Sequence, residues 1–228
     1  MTLAACDSTQ QESEKIGREG KQLAAGPAAL SLGAANHDVR TSDVTLLSSG
    51  GRTAVAARLT STSSRAQAGL PVLVTVTGKG GKVLYSNQQG ELESSLQRLA
   101  LLPAGASVWW VDDQVLTSQT ARGVRVRVGT GSSVASGAQA SVTVRSVQLS
   151  EQGGIGVVSA TVVNGSGKEQ GKVPVFAVAV RGARVVAAGR AVVGALPARR
   201  GATASVQVFL VGSAAGAKLE LTAVPTAG

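Results

Sequence analysis

Cysteine occurs once in these 228 residues, histidine once, and aromatic side chains make up only 2% of the chain. Each scarcity removes a class of chemistry. One cysteine cannot close an intramolecular disulfide, so the fold must be held by core burial alone. One histidine, His37, leaves no ligand spacing for a His/Cys metal centre, and no metal or cofactor is expected. Any Ser-His-Asp or Cys-His arrangement would need that same His37, which with Asp38 reads as a solvated turn. Few aromatics means few platforms for stacked bases, so nucleic acid is not an expected partner. No apolar run approaches the roughly 18 residues of a membrane-spanning helix.

What is present is small and apolar. Hydrophobic residues reach 43%, mostly Ala and Val, beside 29 glycines. Valine suits a pleated surface, and alanine here alternates with it inside strand-length runs, so pattern outweighs helix propensity. The formal charge of +9 is spread as −1 over residues 1–32, +4 over 33–129 and +6 over 130–228. Lysine and arginine never form a dense block. A diffuse basic field of this kind attracts polyanions or an anionic surface, and it also arises from arginine-rich composition alone.

The chain repeats itself. Residues 42–86, "SDVTLLSSGGRTAVAARLTSTSSRAQAGLPVLVTVTGKGGKVLYS", slide by 103 positions onto "RSVQLSEQGGIGVVSATVVNGSGKEQGKVPVFAVAVRGARVVAAG". Val44 meets Val147, Gly50-Gly51 meets Gly153-Gly154, Leu59 meets Val162, and Pro71 meets Pro174. The order of glycines, prolines and apolar runs is kept, which marks duplication rather than shared composition. Each copy holds about seven short strands divided by turn residues. "VTVTGKGGKVLYS" reads as a hairpin and not as a phosphate cradle, because no helix follows its glycines. Pro71 and Pro174 are each expected to open a strand. Seven strands in ninety-odd residues is the pattern of an immunoglobulin-like sandwich. The expected fold class is therefore all-β: two tandem immunoglobulin-like β-sandwich domains after a disordered N-terminal tether. The divisions are a tether at 1–32, sandwiches at 33–129 and 140–228, and a flexible joint at 130–139.

The second copy resembles the FxLYD-type bacterial β-sandwich module in Asn164, the Val185-Val186 pair and Leu196-Pro197. In the first copy "GGKVLYS" and "LLPAGAS" carry the same resemblance. It implies an extracytoplasmic, often lipid-anchored domain, and it brings no catalytic residue.

The N-terminus points the same way. Leu3-Ala4-Ala5-Cys6 resembles a bacterial lipobox, in which the chain is cut before the cysteine and the thiol is diacylated. Only Met1-Thr2 precede it, so a longer precursor carrying the rest of the signal is expected. The polar stretch after Cys6 has the composition of a tether.

Three further groups bear on function. Glu91 and Glu93 flank one residue, and Asp112-Asp113 follow the tryptophans; the second copy has no acidic equivalents. They read as solvated loop acids rather than as the acid and base of a hydrolase. "RGVRVRV" alternates Arg122, Arg125 and Arg127 outward with valines inward, giving a candidate polyanion contact beside the plainer reading of a solvated strand face. Adjacent strand residues face opposite ways, so Trp110, aligned with Val208, should fill the core. Trp109, aligned with Gln207, should then lie outward as a contact anchor for a partner or for the neighbouring domain. The functional expectation is a non-enzymatic, lipid-anchored envelope protein; the alternative is a soluble or exported polyanion-binding protein, which needs the Arg and Lys of 122–145 and 181–200 to converge. The expected partners of the envelope protein are membrane lipid through Cys6 and an envelope protein, or an anionic wall polymer reached through the basic second domain.

Overall fold

The computed structural model describes residues 29–90, 92–134 and 141–226. Among them the chain is all-β, with every strand pairing antiparallel and no α-helix. The first half runs β1 (Val39–Ser49), β2 (Arg52–Ser61), β3 (Ala66–Thr77), β4 (Val83–Ser86), β5 (Arg98–Leu102), β6 (Ser107–Asp112), β7 (Gly123–Val128) and β8 (Ser132–Val134). The second runs β9 (Val142–Gln152), β10 (Ile155–Asn164), β11 (Val173–Arg181), β12 (Arg184–Val193), β13 (Thr203–Phe209), β14 (Val211–Gly212) and β15 (Lys218–Ala223).

The two halves share one strand order. Sheet β1-β2-β6 has its counterpart in β9-β10-β13, and β4-β3-β7 has its counterpart in β12-β11-β15. Details of backbone geometry repeat as well. Gly50-Gly51 and Gly153-Gly154 turn both opening hairpins with φ of 56°, 75°, 57° and 79°. Asp43 and Ser146, also 103 apart, sit at φ of 51° and 52° where each ladder shifts register. A bulge at that place adds twist and lets both opening strands curl around their sheets.

Four sheets stack in layers. In the first half, Val72, Val74 and Val76 of β3 and Leu99 and Leu101 of β5 face Val55, Ala57, Leu59 and Trp110 of the β1-β2-β6 sheet. In the second, Val175, Ala177 and Ala179 of β11 face Val158, Ala160, Val162, Val206 and Val208. The remaining faces of the inner sheets then close on each other. Phe176, Val178, Val185, Ala188, Val211 and Val224 from the second half belong to the same apolar cluster as Ala54, Ala56, Trp109 and Val111 from the first. The inner strands are thus buried on both faces, which is why "VPVFAVAV" is apolar at odd and even positions alike.

Several expectations are corrected. Pro71 lies within β3 rather than at its start, opposite Arg98. It marks the place where β3 leaves β5 and β8 and takes β4 and β7 as neighbours, just after Gly69 at φ 63°. The expected joint at 130–139 begins as structure, since Ser132–Val134 pair with Ala66–Ala68; residues 135–140 lie outside the described part. The repeat register near the tryptophans also moves. Trp110 pairs with Ala57, and Ala160, the residue 103 beyond Ala57, pairs with Val206. The equivalents of Trp109 and Trp110 are therefore Ser205 and Val206, two residues before Gln207 and Val208; the parity is unchanged.

Phe176 is the largest side chain that the second half places, fully buried, in the shared cluster. Phe176→Ala should lower stability by about 3–5 kcal/mol, the usual cost of such a cavity. Urea unfolding followed by tryptophan fluorescence checks this, and a change under 1 kcal/mol would show that the two halves do not share a core.

Candidate functional site

The two tryptophans do point to opposite faces of β6, but the expectation that Trp109 is exposed is overturned. Trp109 is 4% exposed and Trp110 0%. Trp110 sits inside the first sandwich and donates its indole N–H to the Ser95 carbonyl at 3.0 Å. Trp109 looks out of that sandwich and is covered by the second half. Its indole N–H donates to Glu220 Oε2 at 2.9 Å, and the Arg58 guanidinium lies 4.5 Å from its ring centroid. Arg58 reaches Glu220 at 3.1 Å and Asp43 at 3.3 Å. The anchor role expected of Trp109 falls to the neighbouring half of the same chain. Its indole N–H bond, against the opposing effect of desolvation and with Lys218 and Arg58 nearby, holds the Glu220 carboxyl below its ordinary range.

A second polar node lies on the same interface. Arg190 of β12, with its side chain 6% exposed, donates to Glu93 Oε2 and to Ser95 Oγ at 2.6 Å each. Its backbone N–H donates to Asp113 Oδ2 at 3.1 Å, and its Nε lies 3.5 Å from Asp113 Oδ1. Glu93 also caps the short turn Ser94–Leu96 by accepting from the Ser95 N–H. Glu93 and Asp113, expected to be solvated, are instead joined to a buried guanidinium. Glu91 lies outside the described residues.

Asp112 differs from its neighbour because β6 turns it the other way, into the first sandwich. It is fully buried, accepts from the Tyr85 hydroxyl at 2.7 Å and from the Gln114 N–H at 3.0 Å. Burial dominates and pushes its carboxyl up from 3.8 to about 6, against the two hydrogen bonds, which favour the ion. Burial and the Asp112 carboxylate raise the Tyr85 phenol, so it remains a donor. The adjacent acids therefore do not converge. Paired acid–base catalysis needs both carboxyls on one bond, and here one faces a core while the other faces Arg190. The open depression of about 630 Å³ beside them is lined by Asp113 to Ser118 and by Gly51 to Thr53, so it meets Asp113 but not Asp112.

The arginine strand behaves as its alternation suggests. Arg122, Arg125 and Arg127 are exposed, while Val128 is buried and Val124 and Val126 are half-buried against the core. Pairing with β3 sets Arg125 opposite Thr75 and Arg127 opposite Leu73 on the outermost sheet. The basic residues of the β11–β12 hairpin belong to a different layer, so Arg122–Arg127 and Arg181–Arg190 do not converge on one surface. His37 is an exposed turn residue. Cys6 lies outside the described residues. Among the described residues no three His, Cys, Asp or Glu gather where a metal could sit, and no helix is long and apolar enough to cross a membrane.

Fold and clusters together define a layered all-β protein whose buried charges join its two halves. No protein-family model matches the chain, and no curated protein matches it.

Sequence reasoning missed Arg190, Glu220 and Tyr85. The signal for the first two was indirect: a charged residue inside an otherwise apolar strand run needs a partner when buried.

Arg190→Ala should destabilise the protein by about 3–5 kcal/mol, because it leaves Asp113, 11% exposed, without its cation. A denaturant midpoint unchanged from the parent protein would refute that role.

Asp112 gives a pH prediction. Its folded value is raised, so its stabilising contribution is complete below 3.8 and is lost as pH climbs through about 6. The slope approaches roughly 1.4 kcal/mol per pH unit within that window. Asp112→Asn should flatten this part of the stability profile, measured as urea midpoints across pH 4 to 8. Parallel profiles for the two proteins would contradict the assignment.

Proposed function

We propose that the protein is a non-enzymatic, lipid-anchored component of a bacterial envelope, holding two immunoglobulin-like units at the membrane surface. Diacylated Cys6 anchors it, the polar segment after Cys6 lifts it, and the stacked sheets present their two outermost faces. Two acyl chains give stable attachment where one gives only marginal binding. The FxLYD-like features of both copies belong to this reading.

One observation carries the non-enzymatic part. Glu93 and Asp113 are engaged with Arg190, and Asp112 is engaged with Tyr85, so the acids best placed for chemistry are committed to holding the fold. The exposed charge lies instead on flat sheet surface, where it suits binding. Rigidity supports display: a contact surface mounted on a shared core loses little freedom when a partner docks.

The test is covalent. Expressed with its upstream codons in a native-like bacterial host, the protein should partition with membranes. Its N-terminal peptide should begin at Cys6 and carry the added mass of a diacylglyceryl group. Cys6→Ser should release it into the soluble fraction. An unmodified Cys6 in membrane-free material from the same host would end the reading.

A further inference from the structure

The outward face of the β3–β7 pair sets two exposed arginines, neither with an ion-pair partner among the described residues, beside a groove. The groove is shallow, about 520 Å³, and is lined chiefly by Thr75, Thr77, Gly123, Arg125 and Arg127. Among the described residues no carboxylate pairs with either arginine, in contrast to Arg58 and Arg190, and neither threonine hydroxyl has a protein partner. Gly123 keeps the groove open at one end, since a Cβ there would sit 2.8 Å from Thr77 Oγ1.

The repeat gives this face its meaning. Sliding by 103 places Leu73, Thr75 and Thr77 on Phe176, Val178 and Val180. The ladders add that Arg125, opposite Thr75, corresponds to Glu220, opposite Val178. In the second half these positions form the face that docks on the first half. In the first half Leu73 is still covered, but the Thr75–Thr77 part of the face is half-exposed, hydroxylated, and of reversed charge.

We propose that this face binds a base-free phosphodiester polymer, a chain of polyol phosphates. Arg125 and Arg127 are two residues apart on one strand, which spaces their stems by roughly 7 Å. A three-carbon polyol bridge separates successive phosphates by a comparable length. The phosphate at Arg125 then meets a guanidinium fork, which matches its oxygens, and the Thr75 hydroxyl on the facing strand, with Thr77 two residues further along. The phosphate at Arg127, opposite Leu73, meets its guanidinium alone. Other occupants fit less well. A nucleic acid would need stacking side chains, and the groove lining has none. A protein partner would need an aromatic or large apolar anchor, whereas the exposed apolar residue of the adjoining β4 is Val83. A second copy stacked through its opposite outer face would bring Arg145, Gln148, Ser205, Gln207 and the exposed Phe209, and so no complementary charge. The proposal gives a ligand class to the envelope contact of the reading above and rests on that reading for its setting. Its test uses unacylated protein, so failed binding and failed anchoring are told apart.

The full chain is titrated by calorimetry with poly(glycerol phosphate), with poly-L-glutamate of matched charge, and with oligothymidylate of matched phosphate count. The phosphodiester polymer should bind most tightly. Arg125→Glu with Arg127→Glu should weaken it by about 10-fold or more at low salt and reduce the log–log salt slope by about 2. Thr75→Val with Thr77→Val should narrow the preference for phosphate over carboxylate. Arg145→Glu, on the opposite outer face, should change neither. Far-UV circular dichroism checks each fold, and Arg125→Gln with Arg127→Gln replaces the charge reversal if that variant unfolds. Unchanged affinity in the arginine variants, equal binding of polyglutamate, or tighter binding of oligothymidylate would each overturn the proposal.

Discussion

Everything in this molecule depends on two sheets closing face to face across the middle of the stack. The β2 and β6 strands present Ala54, Ala56, Trp109 and Val111, and β11 and β12, with the residue that follows β15, answer with Phe176, Val178, Ala188 and Val224. Each side mixes small and large side chains, Ala54 and Ala56 with Trp109 on one and Ala188 with Phe176 on the other, the alternation that lets two pleated surfaces interdigitate. With few aromatics and no disulfide, this shared layer supplies burial that two separate small sandwiches would lack. The polar nodes on it define the fit. Arg58 of the first half meets Glu220 of the second, while Arg190 of the second meets Glu93 and Asp113 of the first. Each half therefore gives one buried or half-buried arginine and receives the other, a pairing that resists sliding of one sheet over its neighbour. Buried ion pairs are weak sources of net stability, and their value here is in fixing register.

The arrangement is head to tail. The first half uses its β1-β2-β6 sheet, and the second uses the sheet equivalent to β4-β3-β7. A heterologous contact of this kind repeats indefinitely unless its ends are made unlike its middle. They are. Where the first half has Arg58 and Trp109, the second has Thr161 and Ser205; where the second has Val178 and Glu220, the first has Thr75 and Arg125. One duplicated unit has thus diverged into an adhesive inner pair of faces and a polar outer pair. The outer faces are the ones that the contact between the halves does not use.

Much of this was legible. Most strand runs, the paired glycine turns and the outward arginines of β7 follow from period-two alternation and turn chemistry, both local properties; the first part of β3 and all of β8 did not show. The tryptophan parity was legible for the same reason. Their exposure was not, because parity says which face a side chain takes and not what covers that face. The same gap explains Asp112, Asp113 and Glu93. In one dimension they are acids near turns without acidic counterparts in the second copy. Their partners, Tyr85 and Arg190, lie 27 and 77 residues from Asp112 and Asp113. The continuous apolar run of β11 was a clue that two faces were buried, yet it could not say against what.

The sequence by itself determined the strands, their sidedness and their duplication, since each is encoded by neighbours within a few residues or by a fixed offset. Only the tertiary structure decided that the two units close on each other. It was this closure that buried Trp109, bound Arg190 to its acids and left Arg125 and Arg127 outside. Closure is a choice between surfaces made by summed burial and charge across distant segments, and no local pattern carries that sum.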